Sequence, residues 1–176
     1  MRLRWTTAVA LGVLLGLSIA SAQAPKDKAP AKAVTQPATD FKALMKKTLD
    51  AWSTLDVDKV APFYDSAAGH VYYDIAPLKY AGWKAYADGA RKMFADYSSG
   101  KLTLNPDAET HQHGNNAWGA ATSHVELTKK DGTKETFDAR WTVVWEKRGE
   151  DWIIVHDHFS TPLPEPPPPP KPTKKK

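Results

Sequence analysis

The stretch whose reading decides the fold is Phe137 to Ser160, FDARWTVVWEKRGEDWIIVHDHFS. On either side of the charged turn Lys147-Arg148-Gly149-Glu150-Asp151, apolar and polar residues alternate with the period of two that half-buried strands require. The segment therefore predicts a long β-hairpin. Its second arm ends in His156-Asp157-His158-Phe159-Ser160, and the face on which each of these falls decides which can do chemistry.

Just upstream, Lys130-Asp131-Gly132-Thr133 carries the Asp-Gly pair of a two-residue hairpin turn. If Lys130 pairs with Thr133, then Glu126 lies opposite Phe137, His124 opposite Ala139 and Thr122 opposite Trp141. If Arg148 likewise pairs with Asp151, Trp141 lies opposite His158 and Val143 opposite His156. One face then holds Trp118, Trp141, Trp145 and Trp152 with His124, Glu126, His156, His158 and Ser160. A greasy aromatic wall interrupted by a few polar groups is the composition of a ligand pocket. The opposite face, with Val125, Leu127, Asp138, Arg140, Asp157 and Phe159, is half apolar and half charged, which suits a dimer interface through the sheet. A slip of one residue in either turn would reverse part of this assignment.

Further upstream, strands are expected near Leu102 to Gln112, with a break at Asn105-Pro106, and near Asn116 to Thr128. Asp40 is a plausible N-cap for a helix with Phe41, Leu44, Met45, Leu49, Trp52 and Leu55 on one face. Asp56 caps a second, short helix through Tyr64. His70 to Ile75 reads as a short strand stopped by Ala76-Pro77, and Trp83 to Tyr97 gives the best helical period in the chain.

Both ends are different in kind. Arg2 and Arg4 precede an apolar run from Ala8 to Ile19, and Ala20-Ser21-Ala22 follows. This is the layout of a secretory signal peptide over 1–22, with an uncleaved anchor as the alternative. A cleaved chain would begin near Gln23 and carry no transmembrane segment, its domain being periplasmic or secreted. Residues 23–38, rich in Ala, Pro and Lys, read as a disordered linker, which leaves 39–162 for one folded domain. From 163 to 176 a Pro/Lys-rich tail reads as a polyproline II rod with a basic tip.

The 176 residues contain no cysteine, which excludes disulfides and thiolate catalysis. The formal charge of +4 belongs to the ends: between 33 and 164 stand 15 basic and 18 acidic residues, a net of −3. A nucleic-acid-binding domain needs a basic stripe on its folded face, so no nucleic-acid partner is expected.

The order helix, short helix, strand, helix and long meander resembles the nuclear transport factor 2-like superfamily, and within it the SnoaL-like proteins. The resemblance is carried by Leu55-Asp56 to Tyr64, by Tyr73-Asp74-Ile75-Ala76-Pro77 with Tyr80-Ala81-Gly82, and by Trp152 to Ser160. It implies an α+β fold in which N-terminal helices pack in a strongly curved antiparallel sheet, a cone-shaped α+β barrel with a pocket at its open end, and a homodimer through the sheet. It also implies that Asp74 stands where the isomerase branch keeps its general base. That branch's helix tyrosine is Thr48 here, and its second acid falls at Trp141 or Thr142, so the ketosteroid isomerase reaction itself is not expected.

The candidate catalytic residues are Asp74, which could equally cap the turn before Pro77, and the pair His156 and His158, about 7 Å apart along one strand face. Tyr72, His124, Trp141 and Trp52 are the candidate ligand contacts. His124 with His156 and His158 could in principle hold a metal, but buried structural histidines are commoner, so no metal and no cofactor is expected. Arg140 is expected to pair with Asp138 or Asp157. Three function classes follow: a pocket protein for a small, largely apolar or aromatic ligand; an isomerase, dehydratase or cyclase using Asp74 or the histidine pair; and an assembly module.

Overall fold

The computed structural model describes residues 38–163. The expected signal peptide, nearly all of the linker and all but the first residue of the tail lie outside the described residues. The chain runs α1 (Phe41–Ser53), α2 (Val57–Val60) with a 3-10 turn (Ala61–Phe63), β1 (Val71–Tyr73), β2 (Tyr80–Ala81) and α3 (Trp83–Phe94). Five strands follow: β3 (Tyr97–Leu104), β4 (Glu109–His113), β5 (Asn116–Lys129), β6 (Lys134–Arg148) and β7 (Asp151–Ser160).

Local chemistry explains the helices. Asp40 Oδ1 accepts from the Ala43 amide at 3.0 Å and so satisfies one orphan N–H of α1. Asp56 does the same for α2 through the Asp58 amide. Pro62 lacks the N–H that a continued α2 would need, and the helix tightens to 3-10 there instead of running to Tyr64 as expected. Beyond α3, Ser98-Ser99-Gly100 opens β3 rather than closing the helix. Gly100 lets Leu55 pack close to the strand, since an added Cβ would come within 2.7 Å of Leu55 Cδ2 and push that side chain aside.

The sheet order is β2-β1-β7-β6-β5-β3, with β4 also paired to β5. All pairs are antiparallel except β1 with β7, which is parallel, so the sheet is mixed and open rather than wholly antiparallel and closed. It forms the α+β cone with helices on its inner face. Phe41, Met45, Leu49 and Trp52 of α1 enter one core with Trp141, Val143 and Trp145 of β6.

Two local features overturn the expected faces. The β5–β6 turn has three loop residues, not two: the Lys129 amide bonds the Thr133 carbonyl at 2.8 Å, and Gly132 takes a φ of 90°. This is the hairpin with glycine in the left-handed position. Phe137 consequently faces Val125, Ala139 faces Ser123 and Trp141 faces Ala121, one residue from the expected register. Since side chains alternate, the slip turns His124, Glu126 and Trp118 outward and Ser123, Val125 and Leu127 inward.

The second turn is as expected, with Arg148 opposite Asp151. The ladder then shifts at Val144/Trp145, so that Trp145 faces Ile154 while Val144 faces His156. Val155 is the extra residue of a β-bulge. Beyond it Asp157 faces in, and His156 and His158 face out.

Gly119 of β5 lies against the core, where an added Cβ would meet Met45 Sδ at 2.8 Å and the Trp145 ring at 3.1 Å. Methionine can yield but the buried indole cannot. Gly119→Ala should therefore destabilise the protein by about 1–3 kcal/mol in urea unfolding with an unchanged slope.

Candidate functional site

Where α1, α3 and the inner sheet face diverge, they leave a hollow of about 80 Å³. Leu49 and Trp52 of α1 line it with Tyr86, Ala90 and Phe94 of α3; Val125, Leu127, Phe137 and Trp141 line it from β5 and β6; Asp157 and Phe159 line it from β7. Asp74 and Ile75, which leave β1, Met93 of α3 and Leu102 of β3 complete the lining. Ile75 and Met93 are 50% and 42% exposed and so form its rim. Among the described residues, the charged side chains lining it are both carboxylic acids.

Asp157 is 1% exposed. Its Oδ2 is 2.6 Å from the Tyr64 hydroxyl, which in turn lies 3.1 Å from Trp52 Nε1. An indole N–H can only donate, so Tyr64 accepts from Trp52, and its own O–H is directed to Asp157 Oδ2. Chemistry alone fixes the first step of this relay, and ionised Asp157, which can only accept, fixes the second. Oδ1 of Asp157 is buried with no hydrogen-bond partner among the described residues. Burial pushes the Asp157 carboxyl up to about 7, against the lowering pull of the Tyr64 hydroxyl; the Asp74 charge raises it further, and the nearby Trp141 indole lowers it. The Tyr64 phenol is driven well above its usual range, first by burial and then by Asp157.

Asp74 uses Oδ1 to accept from the Ile75 amide at 2.7 Å. Burial raises its carboxyl to about 6, with the Ile75 bond opposing. One oxygen of each acid thus makes no hydrogen bond of normal geometry to protein. Tyr64→Phe should cost about 1–3 kcal/mol, because the Trp52 indole loses its acceptor and Asp157 loses its donor. It should also move the Asp157 midpoint upward, since the lost bond favoured the anion; a carbon-detected NMR titration reads this directly.

Of the residues expected from sequence, Asp74, Trp52 and Trp141 line the hollow. Tyr72 is fully buried but lies behind the lining, its ring stacked on Tyr86 and its hydroxyl on the Asp65 carbonyl at 3.2 Å. His124 is on the outer face, 2.7 Å from Asp138. His156 and His158 are there too, with the Tyr73 ring edge-on to both. His156 Nδ1 is 2.6 Å from the Val71 carbonyl, which fixes its proton on that nitrogen. These imidazoles do not share a chamber with Asp74, because the three-residue turn and the Val155 bulge reverse their faces. Asp138 is taken by His124 and Asp157 by Tyr64, so neither forms the expected pair with Arg140.

Asp157 and Tyr64 were not found by sequence reasoning. A signal existed for the first: Ile153-Ile154-Val155 is a run of consecutive apolar residues that breaks strict alternation, as a bulge does. Nothing in the sequence pairs Tyr64 with a residue 93 positions away.

The cone with a hollow at its open end places the chain among nuclear transport factor 2-like folds. It aligns with a nuclear transport factor 2-like protein of Salmonella enterica at a TM-score of 0.62 and 20% identity, covering 74% of this chain and 96% of that one. A Xanthomonas campestris protein assigned as a calcium/calmodulin-dependent protein kinase II association domain aligns at 0.61 and 26% identity, over 72% and 87% of the two chains. The association domain of that kinase from C. elegans aligns at 0.56 and 22%, over 69% and 93%. Among proteins with curated descriptions none matches significantly. Residues 41–164 match the SnoaL-like domain model, and the chain belongs to that family.

Proposed function

We propose that this protein binds one small, largely apolar molecule in the hollow, using Asp74 and Asp157 as its polar contacts. The observation that carries this is the orphaned Asp157 Oδ1: a buried polar atom without a partner costs about 1–3 kcal/mol, and a ligand at the hollow's wall would supply the missing partner. The walls are aromatic and aliphatic, which suits such a ligand. Native mass spectrometry of the protein purified from its own cells tests the reading. The expected result is a small bound molecule that Ala90→Leu, which fills the hollow, displaces. A chain that carries nothing, and whose melting point no small apolar compound raises, would contradict it.

A second reading, an isomerase- or dehydratase-type proton transfer, is supported by the two carboxyls being raised to about 6 and about 7, the range in which general acids and bases work near neutrality. Asp74, nearer the rim, would take the proton, and neutral Asp157 would return one from Oδ1, since Oδ2 already accepts from Tyr64. On this reading Asp74→Asn lowers turnover by about 10²–10⁴-fold with ligand binding retained; equal loss of both would count against it.

We further propose export, from the basic and apolar start of the sequence, and self-association through the outer sheet face. That face exposes Trp118, stacked on His111 at 4.3 Å, and Tyr73. Light scattering of the purified chain should give twice the monomer mass.

A further inference from the structure

Taking the pocket reading as its basis, we infer that the ligand is a small organic cation, a primary or secondary ammonium compound, whose N–H groups are received by Asp74 and Asp157. Four observations converge on this. The hollow has two carboxyl groups in its lining and, among the described residues, no basic side chain to balance them. Salt bridges elsewhere in the fold engage Asp50, Asp56, Asp65 and Asp88 with basic groups, whereas these two acids are left without one. Asp74 spends Oδ1 on the Ile75 amide and Asp157 spends Oδ2 on Tyr64, and the second oxygen of each makes no hydrogen bond of normal geometry to protein, the Trp141 indole N–H standing near Asp157. The unspent Asp157 Oδ1 is buried, so no bulk water serves it.

The direction of the Trp52–Tyr64 relay adds a fifth argument. A hydroxyl that donates to a carboxyl favours its charged form, and the Trp52 N–H already occupies the acceptor side of Tyr64 and leaves its O–H for Asp157. The protein thus spends two buried polar groups on supporting an anion in an apolar cavity and supplies no countercharge. A ligand ammonium supplies it, with charge-assisted hydrogen bonds to both acids. Trp52, Tyr86 and Trp141 give the hollow an aromatic lining, and aromatic rings attract such a cation. A carboxylate or phosphate would meet repulsion from both acids and no basic side chain.

Size narrows the class. About 80 Å³ is roughly half of the ~150 Å³ cavity that holds a benzene ring. A short alkyl chain fits within it, and a bulkier one must pass out between Ile75 and Met93.

The test is a titration of the full chain with three near-isosteric probes, n-butylammonium, butan-1-ol and butyrate, followed by the indole N–H resonances of Trp52 and Trp141 and by calorimetry. Butylammonium is expected to bind at pH 8 at least tenfold more tightly than butan-1-ol, with butyrate not binding. Its affinity should fall at least tenfold from pH 8 to pH 5, with proton release on binding, because the acids must ionise to receive it. Asp157→Asn should remove the preference for the cation. Should that variant fail to fold, Asp74→Asn at the rim should cost at least tenfold in butylammonium affinity and leave butan-1-ol within threefold. Butan-1-ol binding as tightly as the cation, or butyrate binding more tightly, overturns the cation assignment while the pocket stands. If none of the three moves either indole, both fall.

Discussion

Asp157→Asn is expected to make the protein more stable at pH 8 and slightly less stable at pH 5. The folded protein holds this carboxyl at about 7 against 3.8 for the free group. Between those values the unfolded chain is ionised while the native one keeps its proton, so the native state binds more protons and stability falls as pH rises. The loss begins above the unfolded value, is complete once pH has passed about 7, and amounts to roughly 4 kcal/mol at 1.36 kcal/mol per unit. Asparagine cannot ionise, so it escapes this loss. It pays instead for a buried amide N–H₂ where Oδ1 had no partner, about 1–3 kcal/mol at any pH. The difference between the two unfolding curves should therefore change sign between pH 5 and 8. Asp65, Asp107 and Asp131, whose carboxyls are lowered chiefly by hydrogen bonds, lose their contribution only at acid pH and do so equally in both proteins. A parallel pair of curves would place Asp157 in water.

Trp145→Ala should cost about 3–5 kcal/mol, and Trp118→Ala no more than about 1. The two indoles stand on neighbouring strands of the same sheet. Trp145 is 0% exposed, with its centroid 5.3 Å from that of Phe41, and it abuts Gly119. Trp118 is 43% exposed and touches His111 on the outer face. Sequence reasoning put both on one face. The structure separates them by the one-residue slip at Gly132, so the contrast between the two variants, read from urea unfolding, measures the register itself. Equal costs would restore the two-residue turn.

The history of these residues shows what is legible in a sequence and why the remainder is not. The 3.6-residue period of Phe41, Met45, Leu49 and Trp52 marked α1, because burial of one stripe leaves its trace in composition. β6 was equally plain: Trp141, Val143 and Trp145 alternate without interruption, and all three are buried as expected. Faces beyond a turn are another matter. Lys130-Asp131-Gly132 can close with two or three loop residues, and the choice is made by packing, here by Ser123, Val125 and Leu127 going into the core in place of His124 and Glu126. The Val155 bulge acts in the same way on β7, and its cause is tertiary: the parallel partner β1 and Tyr64 hold Asp157 inward. Two single-residue events thus moved the candidate chemistry from the histidines to an aspartate on the strand next to the one where the isomerase branch would place its second acid, while Asp74, Trp52 and Trp141 kept their expected place at the hollow.

The account rests on two carboxyl groups sharing one sheltered cavity. The most direct measurement is a pH titration of the Asp side-chain carboxyl carbons by NMR on the ligand-free chain. The account predicts midpoints near 6 for Asp74 and near 7 for Asp157, with Asp157 moving down when Asp74 is replaced by Asn. Both groups titrating near 4, as solvated aspartates do, would contradict it.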